Sequence, residues 1–207
     1  MRLALLGGTG RIGQHLLAQA LESGHEVTAL AREPAALRGQ PGLTVVPGDA
    51  TDAAAVSAVV RGADAVLSAL GPRGARTQGM LGIASRNLVA AMSTGGARRL
   101  ICVSAAGAFI SGDPDMNAMI KLILPRVLAK QFADVRDMES AIRASGLEWT
   151  LVRATQLTSG PLTGRYRVRP DYSPAGGRKI SRADVAHFIG AVLDDDSWVK
   201  SAPALAY

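Results

Sequence analysis

The stretch Leu5-Leu6-Gly7-Gly8-Thr9-Gly10-Arg11-Ile12-Gly13 decides the fold of this chain. It follows a short apolar lead, Leu3-Ala4-Leu5, and runs directly into an amphipathic segment. A buried strand, a glycine turn and a helix start together make a mononucleotide-binding βα unit. Glycines at 7, 10 and 13 have the G-x-x-G-x-x-G spacing, which lets the backbone turn tightly and come close to a pyrophosphate. The N–H groups at the helix start, with the positive end of its dipole, then face the phosphate charge. The competing reading is a tight turn whose glycines serve packing alone.

Outward from that anchor, strand and helix patterns alternate as in an α/β, doubly wound Rossmann fold with a parallel sheet. Strands are expected at Arg2–Leu6, Glu26–Leu30, Leu43–Val46, Ala65–Leu70, Leu100–Val103 and Glu148–Arg153. Helices are expected from Arg11 to Ser23, from the cap Asp52 through Arg61, and from Gln78 to Ser93. Asp113-Pro114 opens a long helical stretch to Ala144, broken at Pro125, and Ser181 caps a last helix to Leu193. Leu162–Arg169 alternates with period two, and Pro170–Gly177 is rich in turn residues. The 207 residues are read as one NAD(P)-binding Rossmann domain, 1–207, with a small C-terminal substrate-side lobe at about 154–180.

Composition narrows the function classes. Apolar residues make up 48% and aromatics 4%, which suits helices packed on an aliphatic sheet. No apolar run approaches the roughly 18–20 residues needed to span a bilayer, and residues 1–6 feed the glycine loop rather than forming a leader. The single cysteine, Cys102, lies in an apolar run and reads as a buried structural thiol. A soluble cytoplasmic protein without a membrane partner is expected. The balance of 23 Lys+Arg against 17 Asp+Glu gives +6, but no dense basic stripe or nucleic-acid reading module accompanies it. Scattered arginines near a glycine loop fit an anionic cofactor better than nucleic acid. The three histidines, His15, His25 and His187, have no metal-ligand spacing, so no metal is expected.

In open α/β sheets the ligand sits outside the carboxyl ends of the strands, so the residues following each strand are the candidates. After the second strand comes Ala31-Arg32, where an arginine pairs with the 2′-phosphate of NADP in place of the acid that selects NAD. Arg11 and Ile12 of the glycine loop join it as cofactor residues. After the third strand, Asp49 either accepts from an adenine amino group or bonds its own turn, with Ala50 beside it. Leu70 and Gly71 would pass beneath the nicotinamide ribose. After the fifth strand, Ser104 is the candidate catalytic hydroxyl, placed where it meets the nicotinamide or a substrate; its bland role is to satisfy strand-end backbone. The sixth strand ends at Arg153, a cofactor candidate, followed by Thr155, Gln156 and Leu157 as a substrate wall. Arg165, Arg167 and Arg169 share one strand face, and either bind a substrate anion or blunt a sheet edge.

These motifs resemble the atypical short-chain dehydrogenase/reductase superfamily, in its NmrA-like branch, and within it the flavin reductase/biliverdin-IXβ reductase group. The residues carrying the resemblance are Gly7–Gly13, Ala31-Arg32, Gly48-Asp49, Ser104, Ser145-Gly146-Leu147 with Val152-Arg153, Pro161-Leu162-Thr163-Gly164 with Tyr166, and Ile180–Phe188. The resemblance implies NADP(H) held by Gly7, Thr9, Gly10, Arg11, Gly13, Arg32 and Asp49. It implies Ser104 as the pocket hydroxyl and a small planar acceptor, a flavin such as FMN or riboflavin or a linear tetrapyrrole such as biliverdin. Two departures matter. The Tyr-x-x-x-Lys pair of short-chain dehydrogenases is missing, since Asn117-Ala118-Met119-Ile120-Lys121 has the lysine alone. Gln156 also stands where the reductase group can carry a histidine. Ordinary alcohol chemistry is therefore disfavoured, and solvent is expected to supply the proton. The expectation is an NADPH-dependent reductase acting as a monomer, with a homodimer as the second choice; its rival is an NmrA-like redox-sensing regulator without turnover.

Overall fold

A computed structural model describes residues 1–37, 39–71 and 79–207. Strands β1 (Arg2–Leu6), β2 (Glu26–Ala31), β3 (Leu43–Pro47), β4 (Ala65–Ser68), β5 (Arg99–Ala105) and β6 (Glu148–Ala154) pair in parallel in the order 3-2-1-4-5-6. That order reverses beside β1, which is the topological switch point where such sheets bind ligands. Helices α1 (Arg11–Glu22), α2 (Ala53–Val60), α3 (Met80–Gly95), α4 (Ala118–Val127), α5 (Ala129–Arg143) and α6 (Arg182–Ala191) cover both faces.

The strand period of two sorts β1 between two cores. Leu3 and Leu5 pack with Leu16 and Leu17 of α1 and Val185 and Ile189 of α6. Ala4 and Leu6 face the other way, toward Val56 and Val59 of α2, Leu88 of α3 and Met138 of α5. A sheet covered on both sides needs near-continuous apolar strands, and this is why β1, β4 and β5 read as short apolar runs.

Several boundaries differ from expectation, each for a local reason. β4 ends at Ser68, two residues short of Leu70, although the Ala69 amide still donates to the Leu6 carbonyl at 2.9 Å. The expected helix start at Gln78, like the turn residue Pro72, lies outside the described residues. β5 is longer than Leu100–Val103 and includes Ser104, which therefore sits on the strand rather than after it. The helical stretch breaks at Leu128, not at Pro125. Pro125 lies inside α4, and Leu128 closes α4 while its carbonyl accepts from Phe132 in α5.

The C-terminal region departs most. β10 (Pro203–Ala206), unanticipated in the sequence, lies parallel to β6 and antiparallel to β8 (Arg167–Pro170). Its Pro-Ala-Leu-Ala composition has low strand propensity; tertiary pairing, not local preference, makes it a strand. The period-two run Leu162–Arg169 yields a strand only from Arg167, because Gly164 at φ +64° turns the chain. Segment 154–180 thus feeds two sheets: β8 extends the main one, while β7 (Gln156–Thr158) pairs with β9 (Lys179–Ser181). On the β8 edge, Arg167 donates to the Ala175 and Tyr207 carbonyls, and Arg169 pairs with Asp115.

The loop before β8 is held by one carboxylate. Asp184, fully buried in the first turn of α6, accepts from the Thr163 and Gly164 amides (2.8 and 2.9 Å), the Thr163 hydroxyl (2.8 Å) and the Tyr207 hydroxyl (2.6 Å). Burial pushes its carboxyl up, but the hydrogen bonds from Tyr207, Thr163 and Gly164 outweigh burial and hold it at about 2, below the ordinary 3.8. A depressed folded-state value gives stability that is complete above the unfolded value and lost as pH falls toward 2. The expected acid loss is about 2 kcal/mol between pH 5 and pH 2. Urea titrations at those two pH values should show a smaller pH-dependent loss in Asp184→Asn than in the parent; equal losses would refute the assignment.

Candidate functional site

The cleft at the carboxyl ends of β1, β2, β4 and β5 has a volume of about 990 Å³, at the upper end of the range for ligand sites. Its floor is the glycine loop. Gly7 holds φ +83°, and a Cβ there would lie 2.7 Å from the Ala69 carbonyl, so the loop seats directly on the end of β4. A Cβ on Gly13 would lie 2.1 Å from the Gly7 carbonyl oxygen, so the first turn of α1 rests on the loop itself. The Gly10 amide closes the turn onto the Gly7 carbonyl at 2.9 Å.

The N-terminus of α1 is left for a ligand. Its N-cap, Gly10, has no side-chain cap, and its first turn carries no acidic residue. The neighbouring helix is treated in the opposite way: the amides of Leu81 and Gly82, at the start of α3, donate to Asp134 at 3.3 and 3.1 Å. A carboxylate from the fold therefore fills the start of α3, whereas the first turn of α1 carries no acid of its own. Among the described residues, the cleft lining adds Arg11, Arg32 and Arg182 against a single acid, Asp49. An uncapped helix end, a loop with no room for side chains and three guanidinium groups suit a dinucleotide pyrophosphate.

The cleft gathers Gly7, Thr9, Gly10, Arg11, Ile12, Arg32, Asp49, Ala50, Leu70, Gly71, Ser104 and Leu157. Arg32 lies 3.8 Å from Asp49, and both are exposed. Asp49 also accepts from the Thr51 amide (2.9 Å) and hydroxyl (2.8 Å); these bonds, with Arg32 nearby, hold its carboxyl below the ordinary carboxylate range. One of its oxygens thus serves its own turn.

Four candidates stand off the lining. Gly13 lies behind the loop as a packing contact. Gln156 is exposed on β7, and the Thr155 hydroxyl is turned to the Leu205 carbonyl at 2.9 Å. Arg153, only 4% exposed, points under the cleft instead of into it. Its Nε and Nη2 donate to the two carboxylate oxygens of Glu139 at 3.0 and 2.7 Å, and its Nη1 donates to the Asp171 carbonyl at 2.7 Å. The guanidinium also stacks 3.6 Å from the Phe109 ring centroid.

Ser104 shares this buried cluster. Register places it directly beside Arg153 on β6, and its hydroxyl donates to Glu139 Oε1 at 2.5 Å. Glu139 lies on α5, 1% exposed, with Arg143 a further 3.4 Å donor to its other oxygen. Reading the sequence by strand ends missed Glu139. The usable signal was helical: Val135, Met138, Glu139 and Ile142 stand at i, i+3, i+4 and i+7, so a carboxylate occupies a place on the apolar stripe. Arg182, also missed, directly follows the Ser181 cap of α6 and donates to the Ser159 hydroxyl at 3.2 Å.

Other candidate chemistry is inert. Cys102 is buried, and burial pushes its thiol up to about 12. His187 meets the Tyr166 hydroxyl at 2.8 Å away from the cleft, and the amino terminus lies 3.3 Å from His25. Among the described residues, no three His, Cys, Asp or Glu side chains are placed to hold a metal, and no helix is long and apolar enough to cross a membrane.

A family model described as NAD(P)H-binding matches residues 7–196, from the glycine loop past α6. The chain belongs to this NAD(P)H-binding family. Its fold is that of the NAD(P)-binding oxidoreductases of the atypical short-chain dehydrogenase/reductase kind. ChuY, an anaerobillin reductase from Escherichia coli O157:H7, superposes with a TM-score of 0.83 at 25% identity, covering 100% of this chain and 97% of that one. A short-chain dehydrogenase/reductase from Veillonella parvula in complex with NADP superposes with a TM-score of 0.80 at 24% identity, covering 100% and 94% of the two chains. A 3-beta-hydroxysteroid dehydrogenase of Mycolicibacterium neoaurum is 40% identical over 65 residues, which is 31% of this chain but only 18% of that protein.

Proposed function

We propose that this chain, as one domain over residues 1–207, is an NADPH-dependent reductase. Its acceptor on this reading is a small planar conjugated molecule, a flavin such as FMN or riboflavin or a linear tetrapyrrole such as biliverdin. The observation that carries the reading is one cleft lined by the glycine loop, by Arg32 after β2 and by Ser104 on β5. ChuY's activity and full-length likeness support the acceptor class.

Bound NADPH supplies a hydride; the protein's part is to hold two rings together and exclude water. The loop amides and Arg11 would hold the pyrophosphate, Arg32 would take the 2′-phosphate, and Asp49 with Ala50 would border the adenine. Leu70 and Gly71 would underlie the nicotinamide ribose, while Leu157 and segment 154–180 would border the acceptor. The described cleft lining contains no Tyr, His, Lys or Cys, and the Ser104 proton is engaged with Glu139. On this reading water would supply the proton that accompanies the hydride.

NADPH oxidation measured with FMN, riboflavin and biliverdin tests the reading. Turnover on one of them is expected; calorimetric NADPH binding without turnover on any favours the redox-sensing regulator. For the cofactor choice, Arg32→Glu is expected to weaken NADPH at least tenfold more than NADH, because it puts a carboxylate against a phosphate. Equal weakening of the two would remove Arg32 from the 2′-phosphate.

A further inference from the structure

The buried cluster beneath the cleft fixes which way the Ser104 hydrogen points. Glu139 Oε1 receives Ser104 Oγ at 2.5 Å and Arg153 Nε at 3.0 Å, while Oε2 receives Arg153 Nη2 at 2.7 Å and Arg143 Nε at 3.4 Å. Flanked by two guanidinium groups, Glu139 is a carboxylate and only accepts. A serine hydroxyl has one proton and two lone pairs, so Ser104 spends its proton on Glu139. What it offers the cleft is lone pairs alone.

We infer that Glu139 is a positioning residue that fixes Ser104 as a hydrogen-bond acceptor, so that the cleft selects planar acceptors carrying an N–H donor. This deepens the reductase reading and rests on it. The imide N3–H of a flavin and the pyrrole N–H groups of a bilin satisfy Ser104. An acceptor whose polar edge consists of carbonyl oxygens sets lone pair against lone pair. Ser104 is 6% exposed, so such a mismatch has little water to relieve it.

Glu139→Gln inverts this polarity. A glutamine amide at the Oε2 position would face two groups that can only donate, Arg153 Nη2 and Arg143 Nε, whereas at the Oε1 position it faces one such group, Arg153 Nε, and the Ser104 hydroxyl, which can accept. The second arrangement is favoured, and it lets the amide donate to Ser104 Oγ. The Ser104 proton is then free to point into the cleft.

The test compares lumiflavin with 3-methyllumiflavin, which lacks the N3–H. Equilibrium Kd is read by flavin fluorescence, and kcat/KM by NADPH oxidation. The parent is expected to prefer lumiflavin about tenfold by both measures, the size of one hydrogen bond. In Glu139→Gln the preference should fall to about one or reverse, and in Ser104→Ala it should fall to about one. Both flavins are measured on the same preparation, so a loss of folded protein cancels in the ratio. A preference due only to crowding of the methyl group would persist in Glu139→Gln, where Ser104 is unchanged, and that result overturns the inference. Equal binding of the two flavins by the parent also overturns it. Should Glu139→Gln not fold, a preference retained in Ser104→Ala does the same. Flavin discrimination without NADPH oxidation would instead sink the reductase reading and leave the role of Glu139 intact.

Discussion

Gly13→Ala is expected to lower NADPH affinity by at least 100-fold, measured by calorimetry on folded protein. The added Cβ would stand 2.1 Å from the Gly7 carbonyl oxygen and 2.8 Å from both Gly7 C and Gly8 Cα. Every one of these is backbone, so no side chain can swing away. Gly7 cannot retreat either, since it already abuts the Ala69 backbone just past β4. The loop must move by about 1 Å relative to the helix start, a displacement on the scale that costs about a hundredfold in a preorganised site. Overpacking costs a further ~1–3 kcal/mol of stability. Gly24→Ala supplies the control: it also has a positive φ, +77°, but nothing lies within 4 Å of its Cβ position. That variant should lose about 1 kcal/mol and bind NADPH within about twofold of the parent. Parent-like affinity in Gly13→Ala would separate the glycine spacing from cofactor binding.

The parts of the fold legible in the sequence are those in which local pattern and tertiary role agree. Leu3–Leu6 followed by three spaced glycines is such a case, because strand, turn and helix each obey their own short-range rule. The same holds for Asp52 and Ser181, whose side chains accept from Ala54 and Asp184 as N-caps should. β10 was illegible because nothing local makes Pro203–Ala206 extended; its strand character comes from lying between β6 and β8. The tyrosine ending the chain was equally opaque. Tyr207 bonds the carboxylate of Asp184, 23 positions away, and no spacing rule connects the two.

The site divides along the same line. Backbone-driven features, the glycine loop and the strand ends, sit where period and topology place them, and they line one cleft. Side-chain pairings are different. Arg153 looked like a cofactor ligand because it ends the sixth strand expected from sequence, yet a strand points successive side chains to opposite faces, and register sets Arg153 beside Ser104 on the face covered by α5. Glu139 then captures both. An arginine at a strand end is accordingly ambiguous until the helix crossing that strand is known.

Arg153→Leu should be among the most destabilising single substitutions, with a loss of about 3–5 kcal/mol in urea unfolding and a fall in Tm of roughly 10 °C. The substitution strips each carboxylate oxygen of Glu139 of a guanidinium donor, removes the Arg153 hydrogen bond to the Asp171 carbonyl, and removes the stack on Phe109. The Ser104 hydroxyl still donates to Oε1 and Arg143 remains at 3.4 Å from Oε2, but the Arg143 side chain is partly exposed, so the buried charge loses its close, bidentate cation. The decisive comparison is the double variant Arg153→Leu/Glu139→Met. A buried ion pair replaced by apolar groups of similar volume is often neutral or stabilising, since neither charge is then desolvated. The double variant should therefore recover at least half of the single variant's loss. A loss equal to the sum of the two single variants would show that Arg153 and Glu139 act independently, against the bidentate geometry. Recovery has a functional corollary: without Glu139 the Ser104 hydroxyl has no fixed acceptor, so the double variant should be stable yet lose the lumiflavin preference. Stability and polarity then separate, and the charge pair is assigned to the site above it more than to the core around it.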